Sequence, residues 1–314
     1  MTTLGKYRHL SRCATPDGHF VILAIDHRAN LRAALDKHAP TPSTDADFAA
    51  FKQQVIGALA GDASGVLTDP DFGIPAGIVS RNIAPSHGLL APIEVTNYDV
   101  HPSQREVEFI PDWSVRHIKR VGGDGVKLLL YYHPEAANAE KQRGIVRQIV
   151  ADCAADNIPF FLEPIPYSLD PSTPLSNADL LAISVAMAQL FSSMGVDVLK
   201  LQFPVDAAQS RDESAWRAAC AQVSAACSVP WALLSAGVDF ETFALQTQIA
   251  CEAGASGVIV GRAVWNEAVT LPTTARADFL ATTGRERVRE LHSICAKSAR
   301  PWSELVTAPT SARG

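Results

Sequence analysis

At 314 residues the chain is long for one ordinary domain, and its 47% hydrophobic content supplies a large core. Charged residues make up 19%, below the ~25% of average proteins, which excludes disorder over any major fraction. Lys and Arg number 27 against 33 Asp and Glu, a formal charge of −6 with no basic block. Nucleic acid and anionic membrane faces are therefore disfavoured as partners, and an anionic ligand must be held by a few local groups.

Along the chain, the start MTTLGKYRHLSRCATPDGHF has no apolar run long enough for a secretory signal. The longest apolar stretches, 125–132 and 229–238, are strand-sized and far short of the ~20 residues of a membrane helix. Strands are predicted at 19–26 (HFVILAID), 65–69 (GVLTD), 89–95 (LLAPIEV), 125–132 (GVKLLLYY), 158–163 (IPFFLE), 196–203 (VDVLKLQF), 230–235 (PWALLS) and 256–260 (SGVIV). Ala-rich amphipathic stretches at 45–59, 134–157, 177–194, 212–226 and 240–253 read as helices between them. Pro92 interrupts the third strand. Segments 274–282 and 284–299 read as added C-terminal helices, and 309–314 as a loose tail. Six cysteines (Cys13, Cys153, Cys220, Cys227, Cys251, Cys295) show no CxxC pair, so a reduced, cytoplasmic protein without disulfides is expected.

Near-continuous apolar strands alternating with helices mean a parallel sheet covered on both faces. Eight such units favour closure into a (β/α)8 TIM barrel; a doubly wound open sheet is the alternative, but no Gly-rich dinucleotide fingerprint follows the first strand. We expect one domain over 1–314, with the barrel at about 19–270 and C-terminal helices at about 274–299.

In such a barrel alternate side chains point inward and the site gathers at the carboxyl ends of the strands. Lys200 sits among apolar neighbours in the sixth strand, on one face with Val198 and Gln202. Two readings fit it: a desolvated amine nucleophile toward a ketone, or a lysine snorkelling from the outer face. Lys127 repeats the pattern in the fourth strand, Glu163 closes the fifth before a proline, and Asp26 closes the first. Facing one cavity, the two ammoniums are expected to depress each other, with the carboxylates keeping the set near neutrality. Ser235, Ala236 and Gly237 follow strand seven, and Gly261 and Arg262 follow strand eight. Small residues there expose backbone N–H groups, and Arg262 adds a fork-shaped donor, a combination suited to phosphate. The nine histidines form no HxH or HxxxH pair, so neither metal nor another cofactor is expected.

With these residues assembled, the chain resembles the class I tagatose-1,6-bisphosphate aldolase family, including its sulfofructose-phosphate aldolase relatives. The resemblance rests on LAIDHR (23–28), LTDPDFGIPA (67–76), GVKLLLYY (125–132), PFFLEP (159–164), DVLKLQFPV (197–205), LLSAGVDFETF (233–243) and GVIVGRAVW (257–265), in that order. It implies a Schiff-base aldolase cleaving a phosphorylated ketose, tagatose or fructose 1,6-bisphosphate-like, to dihydroxyacetone phosphate and an aldehyde. Lys200 matches the imine-forming lysine, Glu163 the acid/base, Lys127 the second lysine and Asp26 the residue handling substrate hydroxyls. Ser235, Gly237, Gly261 and Arg262 match the phosphate segments, and Arg28 an arginine for the far end of the substrate. Where the family commonly has glutamine, this chain has His27; where it commonly has VE after the imine lysine, this chain has Leu201-Gln202. Both departures bear on substrate identity, and a sulfofructose 1-phosphate or another ketose 1-phosphate stays open. Two remoter readings are a non-catalytic sugar-phosphate-binding barrel and a metal-dependent isomerase or aldolase. A homo-oligomer, a dimer, follows only from the resemblance.

Overall fold

Each predicted apolar run forms a strand, and all eight pair in parallel. In the computed structural model, which describes residues 2–39, 41–96 and 100–311, they are β1 (Phe20–Ile25), β2 (Gly65–Thr68), β3 (Gly88–Pro92), β4 (Gly125–Tyr132), β5 (Phe160–Pro166), β6 (Val198–Gln202), β7 (Trp231–Leu234) and β8 (Gly257–Val260). The ring closes where β1 pairs with β8, Phe20 opposite Gly257. The result is a TIM barrel with its helices outside. Helices Asp45–Leu59, Ala139–Ala155, Asn177–Ser192, Glu213–Ala226 and Phe240–Glu252 occupy the predicted amphipathic stretches. Side-chain caps from Thr44, Ser176, Asp212 and Asp239 satisfy free amides at the starts of four of them. Among the described residues no helix is long and apolar enough to cross a membrane, and all six cysteines are free thiols.

Two strand boundaries differ from expectation, each through a proline. The third strand leaves the barrel at Pro92, and Glu94–Val95 pairs instead with Glu108–Phe109 in a two-stranded antiparallel ribbon. The amide of Ile93 still donates to the Lys127 carbonyl at 3.0 Å, so Glu94 is held over the barrel mouth. The fifth strand does not end at Pro164 but runs to Pro166, opposite Tyr132 on β4. Its pairing with β6 covers only Phe161 and Leu162, so beyond that point one edge is free and a missing proline N–H leaves no partner unsatisfied. A ten-residue helix, Leu4–Cys13, was not read from the sequence. The C-terminal helices run together, Thr273–Phe279 joining Arg285–Ser298 through a wider π turn. Residues 309–311 carry no helix or strand, and the rest of the expected tail, 312–314, lies outside the described residues.

Two apolar layers hold the barrel. One lies between strands and helices. The other fills the barrel's amino-terminal half with Phe20, Ile22, Leu67, Leu90, Phe161, Val198, Ala232 and Ile259, closed below by Leu10, Cys13 and Trp302. Gly125 takes an inward position in this layer because a Cβ there would meet the Phe161 ring at 2.7 Å. This packed plug leaves only the carboxyl half of the barrel for chemistry.

Candidate active site

Alternation along the strands leads directly from the plug to the site. Phe20, Ile22 and Ala24 on β1, Phe161 on β5 and Val198 on β6 point inward. The next inward positions are Asp26, Glu163 and Lys200, and on β4 Lys127 follows Gly125. All four meet above the apolar layer. Glu163 stands between the two lysines, Oε1 3.0 Å from Lys200 Nζ and Oε2 3.1 Å from Lys127 Nζ. Lys127 Nζ also donates to Asp26 Oδ2 and to Glu94 Oε1, each at 2.9 Å. Lys200 and Lys127 are both buried, so the inward reading of Lys200 holds and the snorkelling one does not.

Three carboxylates thus surround two ammoniums in a site nearly closed to water. Burial alone would lower the Lys127 ammonium, but Asp26, Glu163 and Glu94 outweigh it and hold Lys127 well above its ordinary value. The expected depression of Lys127 by a neighbouring ammonium is therefore reversed, because three anions crowd it. Asp26 shows the complementary effect: burial pushes its carboxyl up, but Lys127, Lys200 and His27 prevail and hold it below the usual range. For Glu94 the balance tips the other way, burial pushing its carboxyl up against the pull of Lys127. Burial brings His27 down to about 4 despite Asp26, so its imidazole is neutral at pH 7.

A cavity of about 470 Å³ opens above this cluster, with Asp26, Lys127, Glu163 and Lys200 among its lining, and Arg262 and Ala236 beside them. Gly237, at φ +83°, lies where a Cβ would come within 3.4 Å of the Arg262 guanidinium, so the turn after β7 and the arginine after β8 do meet. Gly261 packs on the Ala24 carbonyl and the His27 ring, leaving no comfortable room for a side chain. Ser235 is buried in the same turn, its carbonyl accepting from Val238 N, and is not among the residues lining the cavity. Arg28, like Ser235, is not among the residues lining the cavity. It begins helix Ala29–Asp36 and turns its guanidinium to the Glu94 carbonyl at 2.5 Å, off the cavity wall. It braces the segment bearing Glu94.

Glu94, Asn30 and Thr96 were not singled out from the sequence, yet Glu94 completes the carboxylate set and the other two line the cavity. Glu94 carried a usable signal: an acid at the end of an otherwise apolar run, the same feature that exposed Glu163. Among the described residues no group of three His, Cys, Asp or Glu side chains is arranged to hold a metal ion.

Residues 20–267 match the model of the DeoC/LacD family aldolases. The chain belongs to this aldolase family. It is 32% identical to a tagatose 1,6-diphosphate aldolase 2 of Streptococcus mutans, over 96% of this chain and 98% of that one. A tagatose 1,6-diphosphate aldolase 2 of Enterococcus faecalis is 33% identical, covering 97% of both chains. Among solved structures, an archaeal fructose 1,6-bisphosphate aldolase superposes with a TM-score of 0.63 at 17% identity, over 94% of this chain and 100% of that one. This likeness extends the barrel comparison across nearly the whole aldolase chain. Beside the aldolase cavity lies a second one of about 450 Å³, and Gln202 and Ala236 line both. Asp170 and Asp206 line it and no lysine or arginine does, so the cationic side of the mouth is the one at Arg262.

Proposed function

We propose that this aldolase cleaves a tagatose or fructose 1,6-bisphosphate-like ketose to dihydroxyacetone phosphate and an aldehyde, through an imine on Lys200. The observation that carries the reading is Glu163 bridging Lys200 Nζ and Lys127 Nζ within hydrogen-bond reach of both. Its similarity to the tagatose 1,6-diphosphate aldolases of Streptococcus mutans and Enterococcus faecalis supports the substrate class.

Glu163 takes a proton from Lys200, whose free amine adds to the ketone carbon. Glu163 returns that proton to the carbinolamine hydroxyl, which leaves as water and gives an iminium that serves as electron sink. Glu163 next removes the C4 hydroxyl proton, the C3–C4 bond breaks and the aldehyde leaves. The enamine is protonated at C3, and water adds to release dihydroxyacetone phosphate and regenerate the Lys200 amine. Lys127, held as a permanent cation, donates to a substrate oxygen that gains negative charge. Asp26 receives substrate hydroxyls. Arg262, with the backbone of residues 235–237 and Gly261, holds the ketose phosphate, which makes bond breaking effectively unimolecular.

Borohydride added with the ketose bisphosphate is expected to leave a mass adduct on Lys200, while EDTA leaves activity intact. An adduct elsewhere, or activity lost in EDTA, sinks the assignment. Lys200→Ala removes both adduct and turnover. A substrate panel varying only the C6 substituent distinguishes phosphate from sulfonate or hydroxyl.

A further inference from the structure

We propose that the buried Lys52–Asp69 pair is a positioning device that aims Asp26 at Lys127. The proposal rests on the aldolase reading of Asp26 and assigns function to two residues that do not touch the cavity. Lys52 lies on helix Asp45–Leu59, fully buried, and its ammonium has three N–H donors. One goes to the Ile25 carbonyl at 2.9 Å, one to the His27 carbonyl at 2.8 Å, and the third to Asp69 in a short bond. The two carbonyls are those immediately before and after Asp26 in the chain. A single cation therefore fixes the backbone on both sides of the carboxylate that Lys127 engages at 2.9 Å.

Asp69 in turn is locked. It follows β2, is fully buried, and its other carboxylate oxygen accepts from Asp71 N at 3.2 Å and Phe72 N at 2.9 Å. The Phe48 ring, 5.0 Å from Lys52 Nζ, covers the ammonium. Burial still lowers the Lys52 ammonium despite Asp69. An apolar pair of similar volume would hold these elements together equally well. What an apolar pair lacks is a donor for the carbonyls flanking Asp26. The sequence segment LTDPDFG, which supplied part of the family resemblance without a role, places Asp69 here.

The test is the double variant Lys52→Met/Asp69→Leu, measured beside Lys52→Met alone and the wild-type enzyme. Lys52→Met strands a buried carboxylate and is expected to lower both melting temperature and kcat. The double variant is expected to recover melting temperature while kcat stays depressed, on the order of 10²-fold for a carboxylate displaced by about 1 Å. KM for the ketose bisphosphate should change little, since phosphate contacts are untouched. A double variant that regains kcat along with stability shows that the pair only packs, and overturns the proposal. If the wild-type enzyme neither forms a Lys200 adduct nor cleaves the ketose, the aldolase reading falls instead. The positioning inference is then decided by the crystal structure of the double variant, or of Asp69→Asn if the double variant does not fold. An Asp26 carboxylate still at 2.9 Å from Lys127 Nζ overturns it; a displaced one supports it.

Discussion

The two halves of the barrel interior are built by the same strands with the same alternation, yet they are opposites. Below, Phe20, Leu90, Phe161, Val198 and Ile259 fill the space with hydrocarbon and are closed off by Leu10 and Trp302. One inward position higher, the same faces carry Asp26, Lys127, Glu163 and Lys200. The dry lower half supplies the burial energy that makes it affordable to hold five charges out of water above. The upper charges in turn compensate one another, so neither half stands without the other. Substitutions in each half test this division, beginning with the one expected to do most.

Lys127→Met should have the largest effect, because it harms both folding and chemistry. It leaves Asp26, Glu94 and Glu163 crowded without the cation they share. Breaking a buried ion pair on one side costs about 3–5 kcal/mol, and loss of the donor should reduce turnover on the order of 10²-fold or more. The pH response gives the sign. In the wild-type protein Asp26 is held below its usual range, so its contribution is present above the unfolded value and lost as pH falls through the folded one. Without Lys127 the crowded carboxyls rise, the folded state binds protons more readily, and stability is lost as pH rises. Wild-type Asp26 contributes fully at both pH 5 and pH 8, so the variant's melting temperature should fall further below the wild-type one at pH 8 than at pH 5. An equal deficit at the two pH values would mean that Lys127 does not govern the cluster.

Phe161→Ala addresses the lower half. The ring is fully buried, sits above Gly125 and meets Phe20 edge to face at 6.0 Å. Its removal should cost about 3–5 kcal/mol, visible in denaturant unfolding. Turnover of the folded fraction should change much less than in Lys127→Met, since Glu163 keeps both lysine contacts. A loss of turnover comparable with that of Lys127→Met would show that the two halves are not separable.

The sequence made this division legible to different depths. The barrel could be read because parallel strands buried on both faces are apolar runs of fixed length, and the inward lysines stood out against them. Glu94 escaped because Pro92 ends the strand in a way that looked like a mere interruption, and only the fold returns residue 94 to the mouth. Arg28 stands apart from the cluster for a related reason. Its neighbours Asp26 and His27 face the cavity, but the turn into the next helix rotates the arginine toward Glu94. Lys52 and Asp69 were invisible as a pair, since a lysine on an amphipathic helix reads as solvent-facing until the carbonyls it reaches are known. Residues that stand out as charges within their own apolar strand could be found; those whose role depends on a helix or turn reaching across could not.

The smallest expected effect tests the seam between the halves, at His27. Its ring meets Trp265 edge-on at 5.4 Å, its Cε1 lies where a Cβ on Gly261 would touch it, and its buried Nδ1 has no hydrogen-bond partner among the described residues. Burial brings it down to about 4, whereas an unfolded histidine titrates near 6.5. Between these values the unfolded chain binds a proton that the folded one refuses, so stability rises with pH across the window and is lost as pH falls from about 6.5 toward 4. His27→Gln keeps a polar side chain at the same place and removes the titration. The variant should lose this part of the pH dependence, with turnover at pH 7.5 little altered because the wild-type ring is already neutral there. The comparison is best made as the difference in unfolding free energy between pH 5 and pH 7 for the two proteins. If the differences are equal, His27 carries its proton in the folded state, and a third cation must then be counted beside Lys127 and Lys200 in the upper half.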